Sequence, residues 1–290
     1  MGLSPRPLIL YPRPMSPLVS TAWLAEHLGA PDLRILDCTY LDPALGRDAR
    51  AEHEAAHIPG AVFLDLKAVS DPDTDLPTML PTGDHFARVV GALGVGTGNR
   101  VVLYDASPWR TAARAWFTFR SFGLAASILD GGLDRWRAEG RAVESGRVEP
   151  RPATLTVPSS RIAVRDLAAV RANLDARAEQ MVDARSATRF SGEEADPRPG
   201  VAPGHIPGSV NLPYTKMFAA DGTYKPLPEL AQVFADAGID LDRPLLATCG
   251  SGVTASTVAF AAHLLGREVP VYDGSWTEWG ADPSTPKVTA

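Results

Sequence analysis

Cysteine is scarce in this chain. Of 290 residues only Cys38 and Cys249 are cysteines. Two thiols so far apart make no disulfide framework, and a reducing compartment, the cytoplasm, is expected. Long apolar runs are also missing. No stretch approaches the roughly 20 residues that cross a bilayer as a helix, so no membrane partner is expected. Lys and Arg number 28 against 34 Asp and Glu, a net charge of −6, and no basic cluster marks a nucleic-acid partner. The six histidines and two cysteines show no metal-ligand spacing. No glycine loop of the dinucleotide type is present either. Neither a metal nor a cofactor is expected.

What is present is an internal repeat. Arg34-Ile-Leu-Asp-Cys38 is similar to Gln180-Met-Val-Asp-Ala184, and His57-Ile-Pro-Gly-Ala61 to His205-Ile-Pro-Gly-Ser209. Val101-Val-Leu-Tyr-Asp105 aligns with the run that ends in Cys249. Leu129-Asp-Gly-Gly-Leu-Asp-Arg-Trp136 aligns with Tyr272-Asp-Gly-Ser-Trp-Thr-Glu-Trp279. The four pairs keep the same order and are displaced by 143 to 148 residues, as expected of a duplicated unit. Within each unit, short runs of Val, Ile and Leu alternate with helical patterns such as Phe86, Val89, Val90, Leu93 and Leu230, Val233, Phe234. That alternation predicts a parallel sheet covered by helices on both faces.

The proline-bearing stretch with Pro150, Pro152 and Pro158 reads as a linker. The expected division is an N-terminal domain over 16–142, a linker over 143–160 and a C-terminal domain over 161–290. Met1 to Pro17 is proline-rich with only a short apolar run, Leu8-Ile-Leu10. It does not read as a signal peptide; a disordered extension is expected, with Met15 a second possible start.

Cys249 stands at the end of the apolar run Leu245-Leu-Ala-Thr and before Gly250-Ser-Gly252. Ala255, Val258, Ala262 and Leu265 then fall on one helical face. In open α/β sheets ligands bind beyond the carboxyl ends of the strands. A thiol there, facing backbone N–H groups and a helix N-terminus, favours the nucleophilic thiolate. Gly250 and Gly252 let the backbone curl around the sulfur. Cysteine phosphatases close such a loop with an Arg six positions on. Here that position is Ala255 and no Arg lies between Cys249 and Arg267, so a phosphate dianion lacks its bidentate partner.

Cys249-Gly-Ser-Gly-Val-Thr254, the two His-Ile-Pro-Gly segments and the Asp-Gly-x-x-x-x-Trp endings resemble the tandem rhodanese-domain sulfurtransferases over about Leu18 to Gly280. The resemblance implies an α/β fold of two tandem rhodanese-like domains, the first catalytically inactive with Asp105 in place of the cysteine. The uncharged Gly250 and Ser251 are similar to the 3-mercaptopyruvate sulfurtransferases rather than to thiosulfate-preferring members, which carry basic residues there. It further implies that Arg189 and Arg198 grip the carboxylate and carbonyl of a 2-oxo acid, to which a planar guanidinium is matched. Gly250, Gly252, Val253 and Thr254 would complete the cradle. Cys249 would carry a persulfide to thioredoxin, a small thiol or cyanide. A relay of Ser251, His57 and Asp48 across the two domains is also implied, with Asp65 a further acidic candidate.

Alternatives remain open at this stage. The donor could be thiosulfate, with cyanide as acceptor, or Cys249 could relay sulfur from a protein donor. Cys38 reads as buried rather than reactive. Trp276 and Trp279 suit either the site wall or the core.

Overall fold

A computed structural model describes residues 15–42, 45–157 and 164–289. Most of the proposed N-terminal extension, residues 1–14, and the end of the proposed linker lie outside the described residues.

The repeat is visible as two sheets of five parallel strands. The first runs in the order β1 (Leu18–Val19), β5 (Ser127–Leu129), β4 (Arg100–Tyr104), β2 (Leu33–Asp37), β3 (Val62–Phe63). The second runs β6 (Val164–Arg165), β10 (Val271–Tyr272), β9 (Leu245–Thr248), β7 (Gln180–Asp183), β8 (Val210–Asn211). The edge order is the same in both. Central strands such as Leu-Leu-Ala-Thr of β9 are buried along their whole length, as parallel strands with both faces covered must be.

Helices cover both faces. In the first half, α1 (Thr21–His27) and α6 (Gly132–Ala138) lie on one side; α4 (Gly83–Ala92) and α5 (Ala112–Ser121) lie on the other. Ser20 starts α1 by accepting from Trp23 N at 3.1 Å, and Thr82 starts α4 by accepting from His85 N at 3.3 Å, each meeting one of a helix's orphan donors. The predicted face of α4 is buried at Phe86 and Val90, and that of α9 (Leu227–Asp236) at Leu230 and Phe234.

The two halves share one core. Helix α5 follows the Asp105 loop and packs on α10 (Val253–Leu264), which follows the Cys249 loop. Trp116 meets Phe260 edge-on at 4.8 Å, a contact worth ~0.5–1.5 kcal/mol beyond its buried area. Around this seam lie the ion pair Arg120–Glu268 and Arg135–Asp221. At its centre Arg114 pairs with Asp273 at 2.6 Å, both buried.

The stretch read as a linker is not a free tether over its described part. Ala153 N donates to Gly91 O at 2.9 Å, and Thr156 N to Thr97 Oγ1 at 2.8 Å. It runs along the surface of the first half.

Candidate active site

Strand β9 ends at Thr248, and Cys249 follows, 1% exposed. Its carbonyl accepts from Trp276 N at 2.9 Å, and its N–H donates to Ser275 Oγ at 3.4 Å. Ser275 begins α11 (Ser275–Ala281) with φ +51°, an unusual conformation for a residue with a side chain. The loop carbonyls are tied down as well. Gly250 O accepts from Thr277 N at 3.0 Å and from Thr277 Oγ1 at 2.6 Å. Ser251 O accepts from Thr78 Oγ1 at 2.6 Å, reaching across from the first half. Gly252 turns the chain with φ +77°, and a Cβ there would meet Arg114 Nη1 at 2.9 Å. So glycine is needed at 252 for conformation and for space alike.

With the carbonyls held outward, the amides are left over. Among the described residues nothing accepts from the N–H groups of Gly250 to Thr254. These amides and the start of α10, a helix of twelve residues, form a positive cradle for an anionic sulfur.

Opposite the cradle stand the two arginines. Arg189 lies on α8 (Ala187–Ser191) and Arg198 on the loop beyond. A Cβ on Gly250 would lie 3.4 Å from Arg198 Nη1 and 3.6 Å from Arg189 Nη2. Both guanidiniums therefore converge on the residue next to the cysteine. Asp196, almost wholly buried, binds both: Arg189 through Oδ2, and Arg198 through Oδ1 at 3.4 Å. Arg189 Nε is buried and has no partner among the described residues, a donor left for a ligand.

Cys249, Gly250, Ser251, Val253, Thr254, Arg189 and Arg198 line one cavity of about 350 Å³. Tyr40, Asp42 and Trp109 of the first half form its far wall. Burial, with Asp42 adding to it, pushes the Tyr40 phenol above its ordinary range, so it stands there as a neutral hydroxyl.

The expected relay of Ser251, His57 and Asp48 is not assembled. His57 is fully buried in the first half, and its Nδ1 is 2.7 Å from His53 O. Its backbone exchanges two hydrogen bonds of 2.9 Å with Glu144. His205 does the same with Val288, and its Nδ1 is 2.8 Å from Phe190 O. Both histidines thus fasten a turn to the segment after the last helix of their half. Asp48 caps α2 (Ala49–Ala55), accepting from Arg50 N and Ala51 N. Asp65 likewise caps α3 (Leu66–Val69). None of the three lines the cavity. The relay expectation is corrected accordingly; of its members only Ser251 is at the site.

Cys38 is buried, and burial pushes its thiol well up. Trp276 and Trp279 are core residues whose Nε1 atoms donate to Ala202 O and Pro286 O. Sequence reasoning missed Asp196, although Asp196-Pro-Arg198 carries a turn signal that could have found it. It also missed Thr78, Arg114, Tyr40 and Trp109. They reach the site only through the packing of one half on the other, and no local pattern announces that.

The sequence profile of the Rhodanese-like domain matches residues 20–139 and 166–282. The chain is 45% identical over 270 residues to human 3-mercaptopyruvate sulfurtransferase, covering 90% of this chain and 91% of that protein. It is 41% identical over 271 residues to the thiosulfate sulfurtransferase of Cricetulus griseus, with the same coverage. A crystal structure of the 3-mercaptopyruvate sulfotransferase SseA from Escherichia coli superposes with a TM-score of 0.81 at 36% identity, covering 90% of this chain and 99% of that one.

Proposed function

The chain belongs to the rhodanese family, and on that premise we propose that it is a sulfurtransferase taking sulfur from 3-mercaptopyruvate through a persulfide on Cys249. The observation that carries this reading is the convergence of Arg189 and Arg198 within 3.6 Å of the Gly250 Cβ position, beside a cysteine at a strand end. Two forked cations held by one carboxylate suit the adjacent carboxylate and carbonyl of a 2-oxo acid.

The substrate lies with its carboxylate and carbonyl on the arginines and its mercapto sulfur over the cradle. The Cys249 thiolate attacks that sulfur. An S–S bond forms, the S–C3 bond breaks, and the electron pair leaves on the carbon as pyruvate enolate. The proton of the substrate thiol passes to C3, giving pyruvate and leaving the persulfide anionic. Ser251 and Thr254 both line the cavity, and on this reading their hydroxyls hand that proton on. The free amides of residues 250–254 stabilise the anionic sulfur before and after the step. An acceptor thiolate or cyanide then attacks the outer sulfur and restores Cys249. Two half-reactions through a covalent intermediate give ping-pong kinetics. Thioredoxin, a small thiol or cyanide fits the acceptor role. Among the described residues no helix is long and apolar enough to cross a membrane. With both cysteines free, the reducing cytoplasm suits the enzyme.

Two groups next to the cysteine bear on the donor. Gly250 and Ser251 carry no charge, so the loop itself adds no cation for a thiosulfate dianion, and the arginine pair suits the carboxylate and carbonyl of a 2-oxo acid. A pure protein-to-protein sulfur relay has no use for the arginine pair. Steady-state kinetics with both donors side by side tests the reading. A higher kcat/KM for 3-mercaptopyruvate is expected; a preference for thiosulfate would reverse the donor assignment.

A further inference from the structure

The first half has a cavity of about 300 Å³ at the carboxyl ends of β2 and β4. This is the place where the catalytic cavity sits in the second half. Its floor is Asp37, Thr39, His53 and Ser107, all buried. Its rim carries Arg47, Arg110 and Arg137.

The repeat explains why the space exists. In the second half Asp183 pairs with Arg185 at 2.7 Å, and that guanidinium lies 4.5 Å over the Trp276 ring. The first half puts Thr39 two residues after Asp37, as Arg185 follows Asp183, and Leu133 where the repeat puts Trp276. Two large side chains become small ones. Asp37 is satisfied instead by Thr39 N at 3.0 Å, Thr39 Oγ1 at 2.5 Å and His53 Nδ1 at 3.0 Å. At these two positions of the repeat the first half has small side chains, and both line the cavity.

The charges show what could enter. The floor carboxylate is fully engaged, and Glu52 is bound bidentately by Arg47 at 2.6 and 2.7 Å. Arg110 makes no hydrogen bond to a carboxylate among the described residues; its guanidinium lies 5.0 Å over the Phe218 ring and its charge acts on buried Asp105, while Arg137 has only Ala56 O at 3.2 Å. Arg110 is also held at φ +55°, a conformation that such side chains keep only when the surroundings demand it. With Arg47 paired to Glu52, the guanidiniums of Arg110 and Arg137 stand with the exposed carboxylate of Asp134 and the hydrogen-bonded carboxylate of Asp37.

We infer that this cavity is a second, non-catalytic binding site for a small oxyanion, either a carboxylate or a sulfur oxyanion, held by Arg110 and Arg137. No thiol lines it, so it binds without transferring sulfur, and its existence does not depend on the donor assigned above.

Calorimetric titration of the full chain with sodium sulfate and, separately, sodium acetate tests this. Saturable binding of at least one probe is expected. It should persist in the Arg189→Gln/Arg198→Gln protein, whose catalytic grip is removed. Arg110→Gln/Arg137→Gln should weaken it about tenfold or more, the loss of a charge-assisted contact. Ala49→Phe, at a half-buried position on the cavity wall, should block it by filling. The probe that binds identifies the oxyanion class. No saturable binding of either probe would overturn the site. So would binding that vanishes in Arg189→Gln/Arg198→Gln, or binding that survives both Arg110→Gln/Arg137→Gln and Ala49→Phe.

Discussion

The two halves have the same sheet order and the same turn-fastening histidines, yet differ where their central strands end. In the second half, Cys249 is followed by amides that nothing accepts from among the described residues. In the first, Asp105 stands at that place, and its own carboxylate accepts from Ser107 N and Ala112 N, both at 2.8 Å. One loop keeps an empty anion cradle; the other has a built-in anion filling it. The turn that supports each loop differs as well. Gly132 takes the positive φ beside Asp105, and a Cβ there would collide with Asp105 O. Ser275 takes the matching place beside Cys249 despite its side chain, and uses its hydroxyl to hold the Cys249 N–H. At this one turn the strained residue is therefore in the half with the nucleophile. The first half is still part of the site. It supplies Thr78 to the cysteine loop, Arg114 beneath Gly252 and one wall of the cavity.

The largest effect should come from the arginines that only the second half places over its loop. Alanine at Arg189 or Arg198 should lower kcat/KM for 3-mercaptopyruvate about ten- to a hundredfold, from the loss of one charge-assisted contact each. Lysine should recover part of this, since it cannot form the fork. Equal kinetics in all four variants would remove the distinction between the halves. Sulfur uptake from a protein donor should change much less.

Next comes the anion built into the first half. Burial raises Asp105 to about 6, from an ordinary value near 3.9. A carboxyl raised on folding binds its proton more tightly in the native state. Its stabilising contribution is therefore full below the unfolded value and is lost as pH rises toward 6. Denaturant unfolding of the native chain and of Asp105→Asn, compared from pH 4 to pH 7, should show the native chain losing on the order of 2 kcal/mol against the variant. A difference that stays flat with pH would show that the amides, not burial, govern this group.

A smaller effect is expected where the halves touch. Thr78→Val removes the hydroxyl that holds Ser251 O and keeps the shape. Loss of about 1 kcal/mol of loop positioning corresponds to roughly a fivefold drop in kcat. The thermal midpoint should move little. A fall in stability with unchanged kcat would make Thr78 a packing residue only.

Much of this comparison was legible in the sequence, because the repeat aligned Asp105 with Cys249 and the strand-ending runs were short, apolar and bounded by glycine. The parallel sheets, the helical faces of α4 and α9 and the cysteine loop followed from period and punctuation. The relay did not hold. The resemblance implied a catalytic His57, but its role is set by which groups surround it, and those come from Glu144 and from His53 in the helix before it. The contacts of Thr78 with Ser251 and of Arg114 with Asp273 join residues more than a hundred positions apart, through the docking of α5 on α10. The second cavity was hidden for a related reason. It is defined by what Thr39 and Leu133 fail to fill, and an absence of volume shows only when the two halves are laid side by side in space.

The most direct measurement is peptide mass spectrometry of the chain after exposure to 3-mercaptopyruvate without an acceptor, with released pyruvate counted. One added sulfur on the Cys249 peptide and one pyruvate per chain are expected. Both should be lost in Cys249→Ser and kept in Cys38→Ser. Sulfur found on Cys38, or pyruvate released by Cys249→Ser, would contradict the assignment of the nucleophile to the second half.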